Sequence, residues 1–524
     1  MNFCRFAGGN ATARAAMKRR SSRRHDIERV LTAFLFVFLV FFLPAVSPCD
    51  EALGKGLRER LIQADSEFAF SSEVLLTAEE KKADAALDRL RTIYLKQFAS
   101  DPDRPYKTPF LVSRRELTQN GLHKALGSMP KGGMLHIHAT ATGTVEWIVE
   151  RALSMPDCFI YWKETNGQYV HGQIGFFPAG SIPAGWMLLS ELQASRPNIR
   201  KELEDLFSLG PEDLDCPDIW REFEAIFTRI DGFISYRPVF LDYYQDAFET
   251  LAKDKIQFLE LRTSLDSILT ETGGHVVDEE VIELYLSILD RVRKKYPGFD
   301  LAIIVCSFRE ASLDDVRAKM ALERRLAAEY PDMVIGFDLI GEEDRGKSSN
   351  HYAPVLGSAP AAPLFLHGGE SLSPANFNVL DAWLLGSLRI GHAINLVHFQ
   401  TLERRIRKTG TVLELCPISN QSLGYVPDLR LHPARGFLMR GMQSVLGSDD
   451  PEIFRSKGLT DDFFEAYVAW DMDLRSLKKL TRNSIVYSHL APSRTRKHLR
   501  AFTERWTDFI RTVNAKSASG GETP

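Results

Sequence analysis

The feature that most constrains the fold is an alternation of short apolar runs with longer amphipathic stretches after residue 130. Eight apolar runs lie, in chain order, at 132–140, 256–264, 300–308, 333–341, 362–370, 388–394, 411–419 and 443–451. Helical periodicity separates most of them, as at 279–295, 314–329 and 402–408. Eight apolar strands alternating with helices predict an α/β fold of parallel strands, closed into a (β/α)8 TIM barrel. An open doubly wound sheet is the alternative, which the strand count disfavours.

The spacing of these runs also predicts the domain organisation. About 115 residues separate the first run from the second, which is too long for a plain loop in a compact domain. Its turn-rich part predicts an inserted subdomain at 155–217, within a catalytic barrel at 130–515. Residues 50–129 form a predicted N-terminal helical segment. Its amphipathic pattern at 77–99 predicts a helix that either covers the core or mediates self-association.

The first 50 residues have the layout of a secretory signal. Eight lysines and arginines lie in residues 1–30, and the stretch VLTAFLFVFLVFFLPAVSPC that follows carries no charge. This order predicts a signal peptide at 1–49 and a secreted or lumenal mature protein. The apolar core at 30–46 is short for a membrane-spanning helix of about 20 residues, and a retained membrane anchor is the alternative.

Composition excludes some partners. Apolar residues make up 44% and charged residues 26% of the 524 residues, as in an ordinary globular protein. Loss of 1–49 removes eight basic and two acidic residues and takes the net charge from −4 to about −10, which argues against nucleic acid as a partner. The six cysteines are too few and scattered for a disulfide framework. A pair between Cys158 and Cys216 is left open.

Two histidines one residue apart end the first apolar run, in KGGMLHIHATATG. Side chains alternate along a strand, so His136 and His138 face the same side, which near the carboxyl end of a barrel strand is the interior. Two neutral imidazoles there provide half of a metal site. A pair of hydrogen-bonded core histidines is the alternative.

Further polar residues fall at the ends of other predicted strands. LFLHGGE places His367 at the end of the fifth run, with Glu370 after a Gly-Gly turn, and RIGHAI places His392 in the sixth. VLGSDDP ends the eighth run with Asp449 and Asp450. Singly, His392 could be a core histidine and the aspartates could cap a helix near Pro451. Together they favour an active site at the face where barrel enzymes do their chemistry.

Three histidines and a carboxylate suit Zn²⁺ with one position left for water. Such a metal lowers the pKa of water toward ~7 and supplies hydroxide at neutral pH. Glu370 and His392 would then handle protons during attack on an electron-poor carbon. The residues alone therefore predict metal-assisted hydrolysis. The PCxxC motif of cytidine-type deaminases is absent from the sequence.

Seven motifs along the chain resemble those of a known family. MPKGGMLHIHA, WREFEAIF, GFDLIGEED, HGGE, RIGHA, CPISNQSL and GSDDP follow the order and spacing of the adenosine deaminases. The leader, N-terminal helices and insertion resemble their secreted, growth-factor-type branch. The resemblance implies zinc-dependent deamination of adenosine or a close 6-aminopurine nucleoside, one zinc per subunit, and a homodimer through the N-terminal helices. It identifies no cell-surface partner.

The resemblance also implies roles for individual residues. Glu370 matches the residue that protonates the purine at N1, and His392 matches the one that orients and deprotonates the attacking water. The implied zinc ligands are His136, His138, His367 and Asp449.

Other matched positions concern the substrate. Asp450 would bond the purine near N7, and the backbone at Gly341 would serve N3. Trp220, Glu224 and Phe227 match the segment that closes over the substrate, although aromatic residues at helical spacing are also typical of plain packing.

Two departures alter the expected ribose contacts. An acidic residue commonly follows the second histidine in the family, where this chain has Ala139, and a histidine ends the third strand in the secreted branch, where this chain has Phe308. Neither side chain bonds a hydroxyl, and a lost buried partner costs about 1–3 kcal/mol. Thr140 or Thr142 could substitute. The alternatives are an amidohydrolase for free adenine or a modified nucleoside, and a secreted growth-factor-like ligand that retains the fold.

Overall fold

The computed structural model describes residues 51–178, 180–358 and 362–518. The predicted signal peptide at 1–49 and its alternative, the anchor at 30–46, lie outside the described residues. The chain divides into two compact units, Met1–Glu67 and Phe68–Pro524. In the first unit the structure describes residues 51–67, which belong to the helix Glu51–Phe68. The second unit contains the remaining described elements. Within the described ranges, no helix is both long and apolar enough to cross a membrane.

Eight parallel strands form the centre of the second unit, one in each predicted apolar run. They are β1 (Gly132–His138), β2 (Ile256–Thr263), β3 (Asp300–Phe308), β4 (Val334–Ile340), β5 (His367–Gly368), β6 (Arg389–His392), β7 (Val412–Leu415) and β8 (Ser444–Leu446).

The strands close into a barrel. β1 to β4 pair in sequence order as one sheet and β5 to β8 as another. Phe337 bridges to Leu364, just before β5, and Ile137 bridges to Asp449, just after β8. The junction between β1 and the end of β8 is held by two backbone hydrogen bonds. His138 N donates to Asp449 O at 3.0 Å, and Asp449 N donates to His136 O at 3.2 Å. The predicted (β/α)8 barrel is confirmed, and the open-sheet alternative is wrong.

Helices surround the strands and form the N-terminal segment. The α-helices of the described residues are Glu51–Phe68, Ala78–Lys96, Arg104–Lys107, Phe110–Leu117, Gly121–Gly127, Val145–Ser154, Leu189–Ser195, Ile199–Leu206, Ile219–Ile234, Arg237–Lys253, Glu279–Lys295, Leu313–Glu329, Ala353–Leu356, Asn378–Leu384, Gln400–Thr409, Pro417–Ser422, Pro433–Met439, Leu459–Ala469, Leu474–Val486 and Pro492–Ala518. Short 3-10 helices lie at Pro211–Asp215, Ile394–His398 and Leu429–Leu431.

The helix Ala78–Lys96 covers part of the core. It begins with a capping box, in which Thr77 and Glu80 satisfy each other's backbone amides. Leu87 and Tyr94 are buried on its inner face. The Glu80 carboxylate accepts a hydrogen bond from the indole of Trp506, which fixes the helix against Pro492–Ala518. These contacts support the core-covering interpretation of the amphipathic pattern.

The long connection after β1 contains a small antiparallel sheet. Its strands are Phe159–Tyr161, Ile174–Gly175 and Trp186–Leu188, with the first in the middle. A two-stranded hairpin, Ile268–Leu269 with His275–Val276, follows β2. The possible disulfide is not formed, because Cys158 is buried at the start of the sheet whereas Cys216 is exposed after a 3-10 helix, and both thiols are free. The subdomain boundary at 155–217 stays a prediction.

Candidate active site

The four predicted metal ligands lie together at the carboxyl ends of β1, β5 and β8. The Nε2 atoms of His136 and His138 each lie 3.2 Å from Asp449 Oδ1. The Nε2 atoms of His136 and His367 are 3.1 Å apart. One ligand atom from each of the four residues lies within 4.8 Å of the others. A second combination of comparable compactness joins His136, Asp449, His392 and Cys416.

The outer nitrogens of two histidines are held by buried carboxylates. His136 Nδ1 lies 2.7 Å from Glu414 Oε2, and His367 Nδ1 lies 2.7 Å from Asp338 Oδ2. Each Nδ1 therefore donates to a carboxylate, which leaves the Nε2 lone pairs facing each other. Two lone pairs 3.1 Å apart repel unless a cation lies between or beside them. The donor set thus fits a metal ion, with the carboxylate support typical of metal-bound histidine.

Electrostatics favour the ligand forms of two of these residues. Burial lowers the pKa of His367 to about 4, so its imidazole is neutral at neutral pH. Burial alone would raise the pKa of Asp449, but the contacts of its carboxylate with the imidazoles of His136 and His138 hold it well below the ordinary value. Neutral imidazole and ionised carboxylate are the forms that bind metals.

Two buried arginines tie the supporting carboxylates together. Arg262 donates to Asp338 Oδ2 and to Glu414 Oε2, both at 2.7 Å. Arg389 donates to Glu414 Oε1 at 2.6 Å and also to Glu260. The sequence reasoning did not identify these residues as part of the site. The available signal was a charged residue inside an otherwise apolar strand, as in IQFLELRTS and TVLELCPIS.

Glu370 lies beside the ligand cluster as an almost fully buried carboxyl. Gly369, at φ +88°, turns the chain after β5 as expected. The Glu343 carboxylate accepts the amides of Gly369 and Glu370, at 3.0 and 3.1 Å. Burial, followed by the negative charge of Asp449, raises the pKa of Glu370 well above its usual value. This direction favours the protonated form of Glu370, which is the form that can act as an acid.

His392 and Asp450 complete the predicted catalytic set. His392 Nδ1 lies 3.4 Å from Glu370 Oε1, and His392 Nε2 lies 3.9 Å from Asp449 Oδ2. Asp450 is buried with its Oδ1 unpaired in the described structure. Burial and then the charge of Asp449 raise the pKa of Asp450. No helix begins at Pro451 in this described region, so the interpretation of the aspartates as a helix cap is wrong.

The backbone around the site is strained and closely packed. His392 and Asp449 have φ of +61° and Ala393 has φ of +54°. Non-glycine residues in this region cost about 1–3 kcal/mol each and concentrate at functional sites. A Cβ atom on Gly391 would lie 2.8 Å from His136 Cε1, and one on Gly447 would lie 2.6 Å from His136 Cβ. Both glycines make room for His136.

The remaining predicted substrate contacts lie on two other elements, the end of β4 and the helix Ile219–Ile234. Gly341 follows β4 with φ +101°. Phe227 is half-buried against the core, and Trp220 is buried, with its indole donating to Tyr425 Oη at 2.8 Å. Tyr425 was not predicted from the sequence. Burial and then the charge of Glu370 raise the pKa of Tyr425.

A group of carboxylates surrounds Gly341. The Glu310 carboxylate would lie 3.4 Å from a Cβ atom on Gly341. Partial burial and then the charge of Glu310 raise the pKa of Glu224. Arg345 is paired with Asp218 at 2.9 Å and Glu342 at 3.3 Å. We call Asp218, Glu224, Glu310 and Glu342 the acidic rim.

The two departures from the family pattern have different surroundings. Ala139 is buried next to His138, whereas the Phe308 side chain is 49% exposed. The Thr142 hydroxyl donates to His138 O at 2.8 Å, so it is already engaged. Thr140 is half-buried, and its carbonyl accepts the Tyr243 hydroxyl at 2.8 Å.

The chain is similar in sequence to known proteins. The family model described as "Adenosine deaminase" matches residues 204–504. The curated protein "Adenosine deaminase 2" of Sus scrofa is 30% identical over 92% of this chain and 98% of its own length.

Two solved structures are similar in fold. The N6-mAMP deaminase of arabidopsis aligns with a TM-score of 0.55 at 16% identity, over 73% of this chain and 99% of its own. An amidohydrolase from Burkhoderia ambifaria, with bound Zn, aligns with a TM-score of 0.56 at 14% identity, over 75% of this chain and 95% of its own.

Proposed function

We propose, from the premise that the chain belongs to the adenosine deaminase family, that it is a hydrolase that deaminates adenosine or a closely related 6-aminopurine nucleoside and releases ammonia. One observation carries the proposal. Glu370, an almost fully buried carboxyl whose pKa is raised by burial, lies 3.4 Å from His392 and beside a cluster of three histidines and an aspartate. This set of acid, imidazole and ligands suits hydrolysis of a C–N bond.

We assign the cluster to one zinc ion per subunit. The ligands would be His136, His138, His367 and Asp449, supported by the facing lone pairs and the two carboxylates behind them. When bound, zinc would supply hydroxide from water near neutral pH. The amidohydrolase with bound zinc has a similar fold.

The protein's own groups would manage the substrate and its protons. Glu370 holds a proton that it would deliver to N1 of the purine, which makes C6 electrophilic. His392, with Nε2 facing the cluster, would contact the attacking water. Asp450 would bond the base near N7, and the backbone at Gly341 would contact N3. Hydroxide would add at C6, and transfer of the proton of the added hydroxyl to the amino group would then release ammonia and leave an inosine-type product.

The acidic rim favours a nucleoside over a nucleotide. N3 and N9 of a purine are both bonded to C4, so a group beside the N3 contact at Gly341 faces the N9 substituent. The carboxylate of Glu310 lies there, its charge acts on Glu224, and Arg345 is already paired. A phosphate on the sugar would meet negative charge, whereas sugar hydroxyls would find acceptors.

Free adenine or a modified purine nucleoside is the second candidate substrate. Ala139, buried next to His138, and Phe308 provide no partner for a ribose hydroxyl. A substrate without an ordinary ribose would lose nothing at those positions.

The test is a substrate panel on purified, zinc-reconstituted protein, with zinc content measured in parallel. Adenosine, 2′-deoxyadenosine, N6-methyladenosine, adenine and AMP would be compared by ammonia release. We expect nucleosides to be deaminated and AMP to be poor. Zinc-replete, folded protein that leaves every 6-aminopurine unchanged would overturn the proposal.

We further propose that the mature protein is secreted after loss of residues 1–49 and that it forms a homodimer through the N-terminal helical segment. Leu57 and Leu61 are more than half exposed on the helix Glu51–Phe68, which supports a partner surface there. N-terminal sequencing of protein recovered from medium tests the first statement. Light scattering of the mature protein and of a Leu57→Lys, Leu61→Lys variant tests the second.

A further inference from the structure

A hydrogen-bonded chain of three side chains runs from the 3-10 helix Leu429–Leu431 to His392. His432 lies just after that helix, and its Nδ1 accepts a hydrogen bond from Ala434 N at 3.0 Å. Its Nε2 lies 3.1 Å from Asn420 Oδ1. Asn420 Nδ2 lies 3.0 Å from His392 Nδ1. His432, Asn420 and His392 are all buried, so solvent does not compete for these bonds.

The backbone amide of Ala434 fixes every proton in this chain. An amide N–H can only donate, so His432 Nδ1 is an acceptor and carries no hydrogen. His432 Nε2 then carries the hydrogen and donates to Asn420 Oδ1. The Asn420 amide orientation follows, and Nδ2 donates to His392 Nδ1. A nitrogen that accepts carries no hydrogen, so His392 is neutral and its single N–H is on Nε2.

The remaining nitrogen faces the reaction site. His392 Nε2 has no hydrogen-bond partner within the described structure, although it is buried. It lies 3.9 Å from Asp449 Oδ2, on the side of the ligand cluster. A buried N–H without a partner is unfavourable, and a water oxygen in the site would satisfy it.

We propose that Asn420 and His432 are positioning residues that hold His392 as the Nε2–H tautomer, so that His392 donates a hydrogen bond to the oxygen of the attacking water. This inference rests on the proposed function and refines the role of one residue in it. Because Nε2 already carries a hydrogen, it does not take the proton of that water. The proton of that water would pass to solvent, and His392 would orient the hydroxide that remains toward C6.

The tautomer can be measured without substrate. We would label histidine with ¹⁵N in the zinc-loaded mature protein and identify the His392 signals by their loss in His392→Gln. We expect a pyridine-type Nδ1 and a pyrrole-type Nε2 in the wild type. A pyrrole-type Nδ1 on His392 would overturn the proposal. Because no turnover is involved, this result is independent of whether 6-aminopurines are substrates.

Asn420→Asp provides a second measurement. A carboxylate cannot donate to Nδ1, so we expect the hydrogen of His392 to move to Nδ1 and kcat to fall by about 10²-fold or more, with KM little changed. Asn483→Asp, at a buried asparagine that bonds Gln443 and Ser444 O, is the control and should leave the His392 signals unchanged. An unaltered His392 spectrum in folded Asn420→Asp would contradict the proposal. If that variant does not fold, the wild-type spectrum decides.

Discussion

The guanidinium of Arg262 lies 2.7 Å from the Glu414 carboxylate in the centre of the barrel, and both side chains are fully buried. The same Glu414 oxygen lies 2.7 Å from His136 Nδ1. The position of a proposed metal ligand therefore depends on an ion pair that never contacts the metal. A buried pair of this kind is costly to break, because the remaining partner becomes an uncompensated charge.

Glu414→Gln is expected to weaken zinc binding by about 10–100-fold, the usual cost of losing the partner behind a metal-bound histidine. Competition with a chromophoric chelator measures the affinity. Glu260→Gln is the matched control, because Glu260 is bonded to Arg389 and to the His489 amide but touches no ligand. Both variants should lose stability, and only Glu414→Gln should lose affinity. Equal zinc affinities would contradict the assignment.

Glu370→Gln is expected to lower kcat for a 6-aminopurine substrate by about 10²–10⁴-fold, because the amide cannot deliver a proton. Steady-state assays with confirmed zinc content measure the effect. Glu323→Gln is the control, since Glu323 is another buried glutamate, on the outer helix Leu313–Glu329. Activity within a few-fold of wild type in folded Glu370→Gln would remove Glu370 from the mechanism.

Gly391→Ala is expected to displace His136, because the new methyl group would lie 2.8 Å from His136 Cε1. We expect reduced zinc occupancy and a lower melting temperature. Gly127→Ala serves for comparison, since its Cβ would meet nothing closer than 3.8 Å. Metal analysis after dialysis distinguishes the two variants. Full zinc occupancy in Gly391→Ala would show that the space Gly391 leaves for His136 is not required.

Glu310→Lys is expected to raise kcat/KM for AMP relative to adenosine by about fivefold or more. Reversing the charge of a side chain about 4 Å from the phosphate is worth at least about 1 kcal/mol in water. The effect should shrink at high salt. Glu329→Lys, at the end of the helix Leu313–Glu329 and therefore at the opposite end of the barrel, makes the same charge change away from the site. An unchanged ratio in Glu310→Lys would show that the acidic rim does not select the substrate.

Glu465 is expected to contribute a loss of stability as the pH rises from about 4.5 to 8. Burial raises the pKa of this carboxyl from 4.5 to about 8 in the folded protein. In that window the folded state keeps a proton that the unfolded state loses, so the free energy of unfolding drops by about 1.4 kcal/mol per pH unit. Glu465→Gln stays neutral and should show a shallower slope in urea denaturation. Parallel slopes for the two proteins would contradict this.

Strands and ligands were predictable because they follow local rules. Each of the eight apolar runs contains a strand, and the helix predicted at 279–295 is Glu279–Lys295. Alternation along β1 places His136 and His138 on one side, and the carboxyl ends of parallel strands share a face. These two rules were enough to bring together His367 and Asp449 from distant parts of the sequence.

The supporting contacts were not predictable, because they depend on pairing across the barrel. Arg262 and Glu414 are 152 positions apart, and no periodicity relates them. Tyr425 and His432 lie in irregular chain after β7, where hydrophobic patterns carry no directional information. The distance between Cys158 and Cys216 likewise depended on how the insertion folds.

The bridge between Ile137 and Asp449 closes the barrel, and Asp449 is also a proposed zinc ligand. Because Asp449 has both roles, binding of the proposed zinc ion would also stabilise the closed barrel. In a cell short of zinc, the contact between β1 and Asp449 would be less stable, and proteases would degrade these chains faster than the zinc-bound ones. Supply of the metal would then control how much of the protein survives as well as how fast each copy works.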